Sequence, residues 1–168
     1  GYGWMFPKGE FANIGVGVSP FARSQLKPLV ESIRNRLLSE SRIGDAVLMH
    51  TGGEIPVGGM VTSYGRLGNA DVFLAGDAAG LTNPITGAGI PSAVISGELA
   101  GEGAIAAVAG ERNAGKDYRD QLFDVFGASL KRALRRRQEI LDFRDVGRKL
   151  APDDLRRTWI AYPEYWAA

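Results

Sequence analysis

The sequence contains no cysteine, which excludes disulfides, thiolate metal sites and a cysteine nucleophile from these residues. The compartment stays open, because reducing and oxidising settings both tolerate a cysteine-free chain. Histidine is nearly absent too. His50 stands alone, so no histidine-rich metal site can form, and no metal is expected. At the end of a short extended run, His50 reads as a structural or surface residue before it reads as a functional one. No apolar run approaches the roughly 18 residues of a membrane span, and the first residues do not resemble a signal peptide. A dominant charge is also missing: 20 basic residues face 19 acidic ones, a net charge of +1. That balance gives no general attraction to nucleic acid.

Glycine, by contrast, is abundant. It accounts for 23 of 168 residues, about twice the usual share of ~7%. Twenty of these lie in Gly1–Gly110 and three beyond. The first part therefore expects tight turns and close backbone approaches, and the last part expects plain helices. The length suffices for one domain with a real core, and 45% hydrophobic with 23% charged residues is ordinary for a globular chain. The chain opens on Gly1 and runs straight into a strand-like stretch, which reads as a fragment or a processed product. No internal repeat or low-complexity segment is present.

Taken in order, Tyr2 to Pro7 places Trp4 and Phe6 on one strand face and Met5 on the other. A turn at Lys8-Gly9-Glu10 and a second run, Phe11 to Val18, predict a β-hairpin. Gly15 and Gly17 leave a bare strip on one face of that second run. Such a strip admits a ligand or another backbone, or marks a bulge or tight sheet packing. Ser24 to Ser39 has helical spacing at Leu26, Leu29, Val30, Ile33, Leu37 and Leu38, with Pro28 in the first turn. Short extended pieces are expected at Ala46–Thr51 and Glu54–Val57, and a turn at Gly65–Asn69. Asp117 to Arg137 predicts a helix with a stripe of Tyr118, Leu122, Val125, Phe126, Leu130, Ala133 and Leu134. Lys131, Arg132, Arg135, Arg136 and Arg137 bring five cations to its end. They read as a solvated helix terminus favoured by the dipole, or as a patch for anionic lipid or a phosphate-bearing substrate. Pro152 with Asp153 and Asp154 marks another helix start. Trp159, Tyr162, Tyr165 and Trp166 either pack on the domain or mark an interface.

The stretch from Asp71 to Ala109 organises the rest. Asp71 to Ala75 has the length of a buried strand. Gly76-Asp77-Ala78-Ala79-Gly80 follows at once. Asn83-Pro84, Thr86-Gly87 and Gly89 punctuate the next turn, and from Ile90 small and apolar residues predict a helix. Its free N–H groups and positive dipole end would point back at the loop, where a polar or anionic ligand is expected. Neither the G-x-G-x-x-G nor the G-x-x-x-x-G-K-[ST] pattern is present. An ionised Asp77 accepts hydrogen bonds only and suits a polyol; alternatively it caps the following segment.

LAGDAAGLTNPITGAGI resembles the second flavin-binding motif of the p-hydroxybenzoate hydroxylase-type FAD oxidoreductases. The nearest resemblance within them is to the geranylgeranyl reductase family. It is carried by Tyr2-Gly3-Trp4-Met5-Phe6-Pro7-Lys8-Gly9 with Asn13-Ile14-Gly15-Val16-Gly17, and by Gly53–Gly59 running on to Leu74–Ile90. Gly80 favours the reductases over the related hydroxylases, which usually have His there. The resemblance implies an α+β or α/β fold, the C-terminal part of a p-hydroxybenzoate hydroxylase-like FAD fold. Residues 1–70 would be a partial substrate-binding sheet with a covering helix, 71–110 the flavin-binding strand–turn–helix, and 111–168 a helical tail.

The resemblance also implies roles. Gly76, Asp77, Ala78, Ala79, Gly80 and Pro84 would form the FAD turn, with Asp77 at the ribityl or pyrophosphate region. Backbone at Gly87, Ala88, Gly89 and Ile90 would face the flavin's pyrimidine edge. Tyr2, Trp4, Phe6 and Pro7 would line the cavity for an isoprenoid chain, with room at Gly15 and Gly17. The implied reaction is reduction of an isoprenoid C=C bond on a prenylated lipid, with NAD(P)H or ferredoxin as donor, in the cytoplasm or peripherally at a membrane. No catalytic residue is identified. Ala88 replaces a frequent Glu of the family and Pro91 a bulkier residue, and the family's adenosine-binding βαβ unit lies outside these residues. The piece alone is therefore expected to be inactive. The alternatives are a flavin monooxygenase or halogenase, and a non-catalytic flavin-fold or membrane-docking module.

Overall fold

The structure, a computed structural model, describes residues 1–167. It is a mixed α+β chain made of two compact units, Gly1–Gly53 and Glu54–Ala168.

In the first unit, β1 (Tyr2–Lys8) and β2 (Phe11–Gly17) form an antiparallel hairpin. Gly9, with φ of 64°, makes the reversal, a backbone state that glycine enters without a Cβ penalty. The register pairs Tyr2 with Gly17, Trp4 with Gly15 and Phe6 with Asn13, so these six share one face. A 3-10 turn over Pro20–Gln25 leads into α1 (Leu26–Ser39). Pro28 sits in the first helical turn, where its missing N–H costs nothing. Leu37 is buried, whereas Leu26 and Leu29 remain exposed. The helix covers the opposite face of the hairpin: a Cβ on Gly3 would lie 2.3 Å from Ile33 Cδ1. A hollow of about 370 Å³ remains beside Leu29 and Ile33.

In the second unit, β3 (Tyr64–Leu67) pairs antiparallel with β4 (Ala70–Phe73). A 3-10 turn at Gly76–Ala79 follows, then α2 (Ile90–Val108), α3 (Ala114–Asp145), α4 (Pro152–Thr158) and α5 (Pro163–Trp166). The core is built from Ala79, Leu81, Tyr118, Leu122 and Leu130, with Met60, Phe73, Leu99 and Phe126 packed on it. Tyr64, Phe73 and Tyr118 stack in series at 5.1 and 5.3 Å between ring centres. The Tyr118 hydroxyl donates to the Leu74 carbonyl at 2.6 Å.

Three expectations are corrected. Ala46–Thr51 and Glu54–Val57 carry no strand, and Val47, Leu48 and Met49 are exposed. An apolar run without a ladder partner gains nothing from extension. The partner of β4 is instead the segment expected to be a turn at Gly65–Asn69: its first residues are β3, and only Gly68 and Asn69 turn. On α3, Val125 is exposed, although its spacings of three from Leu122 and seven from Tyr118 are both same-face helical spacings. Both sheets are antiparallel, so the α+β description holds; the described residues contain no parallel strand pair of an α/β fold.

Candidate functional site

The turn after β4 is shaped by backbone demands. Gly76 has φ of 55° and Gly80 φ of 69°. The Gly76 N–H donates to the buried Ser96 Oγ at 2.8 Å, and that hydroxyl donates to the Ser92 carbonyl at 2.6 Å. The turn is thereby pinned to the first turns of α2. A Cβ on Gly80 would lie 2.0 Å from the Gly59 carbonyl oxygen. Val61 N–H bonds Ala79 O at 3.2 Å, and Leu74 N–H bonds Ser63 O at 2.7 Å. The strand-free segment 59–63 is therefore laid along the turn by backbone hydrogen bonds. Glycine at position 80 is required by the left-handed φ and by this close pass, whatever reaction the chain serves.

Asp77 is exposed and accepts a hydrogen bond from the buried Thr82 hydroxyl. A Cβ on Gly89 would stand 3.0 Å from Asp77 Oδ1 and 3.1 Å from Thr82 Oγ1. Only glycine lets the start of α2 come this close to the carboxylate. The loop between them is tied to itself. Asn83 Oδ1 accepts from Ile85 N–H and Thr86 N–H at 2.9 and 3.0 Å, an Asx turn. Gly87 N–H donates to Asn83 O at 2.9 Å, and Asn83 N–H to Ala88 O at 2.8 Å. Ala88 N–H donates to the Thr86 hydroxyl at 3.2 Å. Gly87, with φ of 67°, passes 3.4 Å from Ile55 Cδ1, measured to an added Cβ.

The ten sequence-derived residues of this loop separate into two sets. Gly76, Ala79, Gly80 and Pro84 are buried and shape the backbone. Asp77, Ala78, Ala88 and Ile90 are exposed, with Gly87 and Gly89 half-buried between them. No side chain caps α2, Pro91 has no N–H, and the remaining first-turn N–H groups have no i−4 partner inside the helix. The result is a surface of small side chains over a bare positive helix end, with one oriented carboxylate beside it. A flat polar ring system carrying a polyol fits that donor and acceptor set. Sequence reasoning did not single out Thr82. A lone threonine five residues past an aspartate carries no periodic or motif signal.

The six hairpin residues lie in the first unit. Tyr2, Trp4 and Phe6 form a continuous ring series, with centroids 5.7 and 6.3 Å apart. The Trp4 indole N–H donates to Asn13 Oδ1 at 2.8 Å. The bare strip is not empty: the indole lies over Gly15, where an added Cβ would be 2.1 Å from Trp4 Cζ2. The space left by Gly15 is filled by the cross-strand tryptophan. Pro7 is exposed and pairs with Ala12.

The basic run at 131–137 is expected to be a helix terminus, but α3 continues to Asp145, so the run lies inside the helix and away from the dipole's end; it is neither uniformly solvated nor free. Arg132 lies over the Trp166 ring at 5.2 Å. Arg136 pairs with Glu139 at 2.9 Å and donates to the carbonyls of Glu164, Tyr165 and Ala167. Arg137 donates to the Pro84 carbonyl at 3.0 Å. Lys131 and Arg135 are exposed. Among the described residues, no group of three or more His, Asp or Glu side chains is placed to hold a metal, and no helix is long and apolar enough to cross a membrane.

No protein-family model and no solved structure matches the chain. Curated relatives do. Digeranylgeranylglycerophospholipid reductase 2 of Methanopyrus kandleri is 35% identical over 144 residues, covering 80% of this chain and 35% of the relative. Reductase 1 of the same organism is 43% identical over 113 residues, 64% of this chain and 28% of the relative. Digeranylgeranylglycerophospholipid reductase 3 of Methanosphaera stadtmanae is 32% identical over 159 residues, 92% and 37% respectively. The chain is thus homologous, over most of its own length, to the geranylgeranyl reductases, and spans about a third of the length of these relatives.

Proposed function

We propose that this chain forms the flavin-facing part of an FAD-dependent reductase of carbon–carbon double bonds in geranylgeranyl chains carried on a phospholipid. The reading rests on the relatives' named activity and on one observation: the uncapped start of α2 beside the Thr82-oriented Asp77. The fold would be the C-terminal part of a p-hydroxybenzoate hydroxylase-like FAD fold. Residues 1–70 would serve as partial substrate sheet, 71–110 as flavin-binding strand–turn–helix and 111–168 as tail.

Asp77 would accept hydrogen bonds from a ribityl chain, with Thr82 holding that carboxylate in one orientation. The backbone of Gly87, Ala88, Gly89 and Ile90 would face the pyrimidine edge. The α2 dipole favours negative charge there, an electrostatic contribution present before any reaction begins. When bound, FAD supplies hydride chemistry that no side chain of this chain possesses. Tyr2, Trp4, Phe6 and Pro7 offer an apolar aromatic wall to the hydrocarbon. With a phospholipid as substrate, the protein works in the cytoplasm at a membrane surface.

The test is Asp77→Ala in the protein at the full length of its relatives, with bound flavin measured by absorbance. Flavin occupancy reduced at least tenfold is expected, and unchanged occupancy would refute the assignment of the loop. Aerobic turnover that yields a hydroxylated or halogenated product would replace the reductase reading with a monooxygenase or halogenase one.

A further inference from the structure

Arg137 is half-buried, and its guanidinium donates to the carbonyl of Pro84 at 3.0 Å, across 53 residues of sequence. Pro84 is fully buried and opens the Asn83–Gly89 loop, so its carbonyl has no water to turn to if that donor is lost. Tyr165 is 2% exposed. It is kept there by Arg136, which donates to the Glu164, Tyr165 and Ala167 carbonyls, and by Arg132 stacked on the neighbouring Trp166. The internal hydrogen bonds of the loop set its shape. These bonds run between residues 83 and 88, whereas the Arg137 bond reaches the loop from α3.

We propose that Arg137 is a positioning residue of the reductase site: it holds the Asn83–Gly89 loop, and with it the start of α2, in place from the C-terminal half of the chain. The placement of the loop rests on geometry alone; its consequence for flavin rests on the proposed function. The clustered cations of α3 thus divide by task. Arg132 and Arg136 hold the tail, and Arg137 reaches past it to the loop. Lysine at position 137 would keep the charge and one donor but lose the planar fork.

The experiment compares Arg137→Met, Arg137→Gln and Arg137→Lys with the parent in the protein at the full length of its relatives. Amide hydrogen exchange of Ile85, Thr86, Gly87 and Ala88 is followed alongside flavin affinity. Arg137→Met should speed exchange of these four amides about tenfold, the equivalent of one hydrogen bond to a charged group, while amides in the first half of α3 keep their protection. Arg137→Lys should restore part of that protection, and Arg137→Gln should act in the same direction as Arg137→Met. Flavin affinity should fall in the same order as loop protection. Loop exchange unchanged in Arg137→Met and Arg137→Gln overturns the positioning role. If Arg137→Met fails to fold, Arg137→Gln and Arg137→Lys carry the same comparison. Faster loop exchange with unaltered flavin affinity upholds the positioning role and overturns the flavin reading of the loop.

Discussion

Tyr118 shows how much one side chain decides here. It is fully buried, packs edge-on to Phe73 and donates to the Leu74 carbonyl just before the glycine turn. Tyr118→Phe should cost about 1 kcal/mol in chemical denaturation, the usual net worth of one hydrogen bond. Burial also pushes its phenol above the ordinary value of 10.0. The folded state therefore keeps a proton that the unfolded chain gives up near pH 10. Stability from this group is complete below that pH and is lost as pH rises from there toward the raised folded value. Tyr118→Phe should flatten the alkaline limb of a stability–pH profile, and an unchanged limb would contradict the assignment. Gly80 makes the opposite case, a residue that matters for what it lacks. Gly80→Ala places a methyl 2.0 Å from Gly59 O in left-handed backbone, so a loss of about 1–3 kcal/mol from the backbone alone is expected, read from the shift in denaturation midpoint. The aspartate and the glycines were visible from the motif. Thr82 was not, because its role exists only once Asp77 and Gly89 have been folded onto it.

Among the elements, the hairpin and the long helix behave differently from their sequence patterns. The alternation in Tyr2–Gly17 predicted both strands and the shared aromatic face, since a period of two needs only local geometry. What fills the glycine strip depends on the pairing register, which seats Trp4 opposite Gly15. Trp4→Ala should uncover that strip and alter turnover of a geranylgeranyl substrate more than flavin content; equal loss of both would mark Trp4 as a support of the fold. The helix α3 was legible through Asp117–Arg137 and extends to Ala114 and Asp145. Gly115 permits its first turn to receive the Tyr64 ring, with an added Cβ only 2.2 Å from Tyr64 Cζ. The cations clustered inside it look alike in sequence, yet the partners of three of them are a ring, a carboxylate with three tail carbonyls, and a loop carbonyl. Arg136→Ala should release α5 and raise the tryptic cleavage rate after Arg156 and Arg157 several-fold. With only Lys131 and Arg135 exposed, association with anionic liposomes should be weak and should vanish in Lys131→Glu/Arg135→Glu without loss of thermal stability.

At the scale of the whole molecule, composition and spacing determined the long helices, the first hairpin and the glycine-rich turn, and the motif resemblance pointed to the family. Each depends on residues close in sequence: a 3.6-residue or 2-residue period, a proline in a first turn, a glycine where φ is positive. Tertiary structure decided the rest. It chose Tyr64–Leu67 as the partner of β4 and left Val47–Met49 unpaired, because strand formation needs a second backbone and the sequence does not say which. It also bound the loop at Pro84 to Arg137. That contact joins residues far apart along the chain, where no local pattern reaches, and a buried carbonyl finds its donor only after the core around Leu81, Tyr118 and Leu122 has formed.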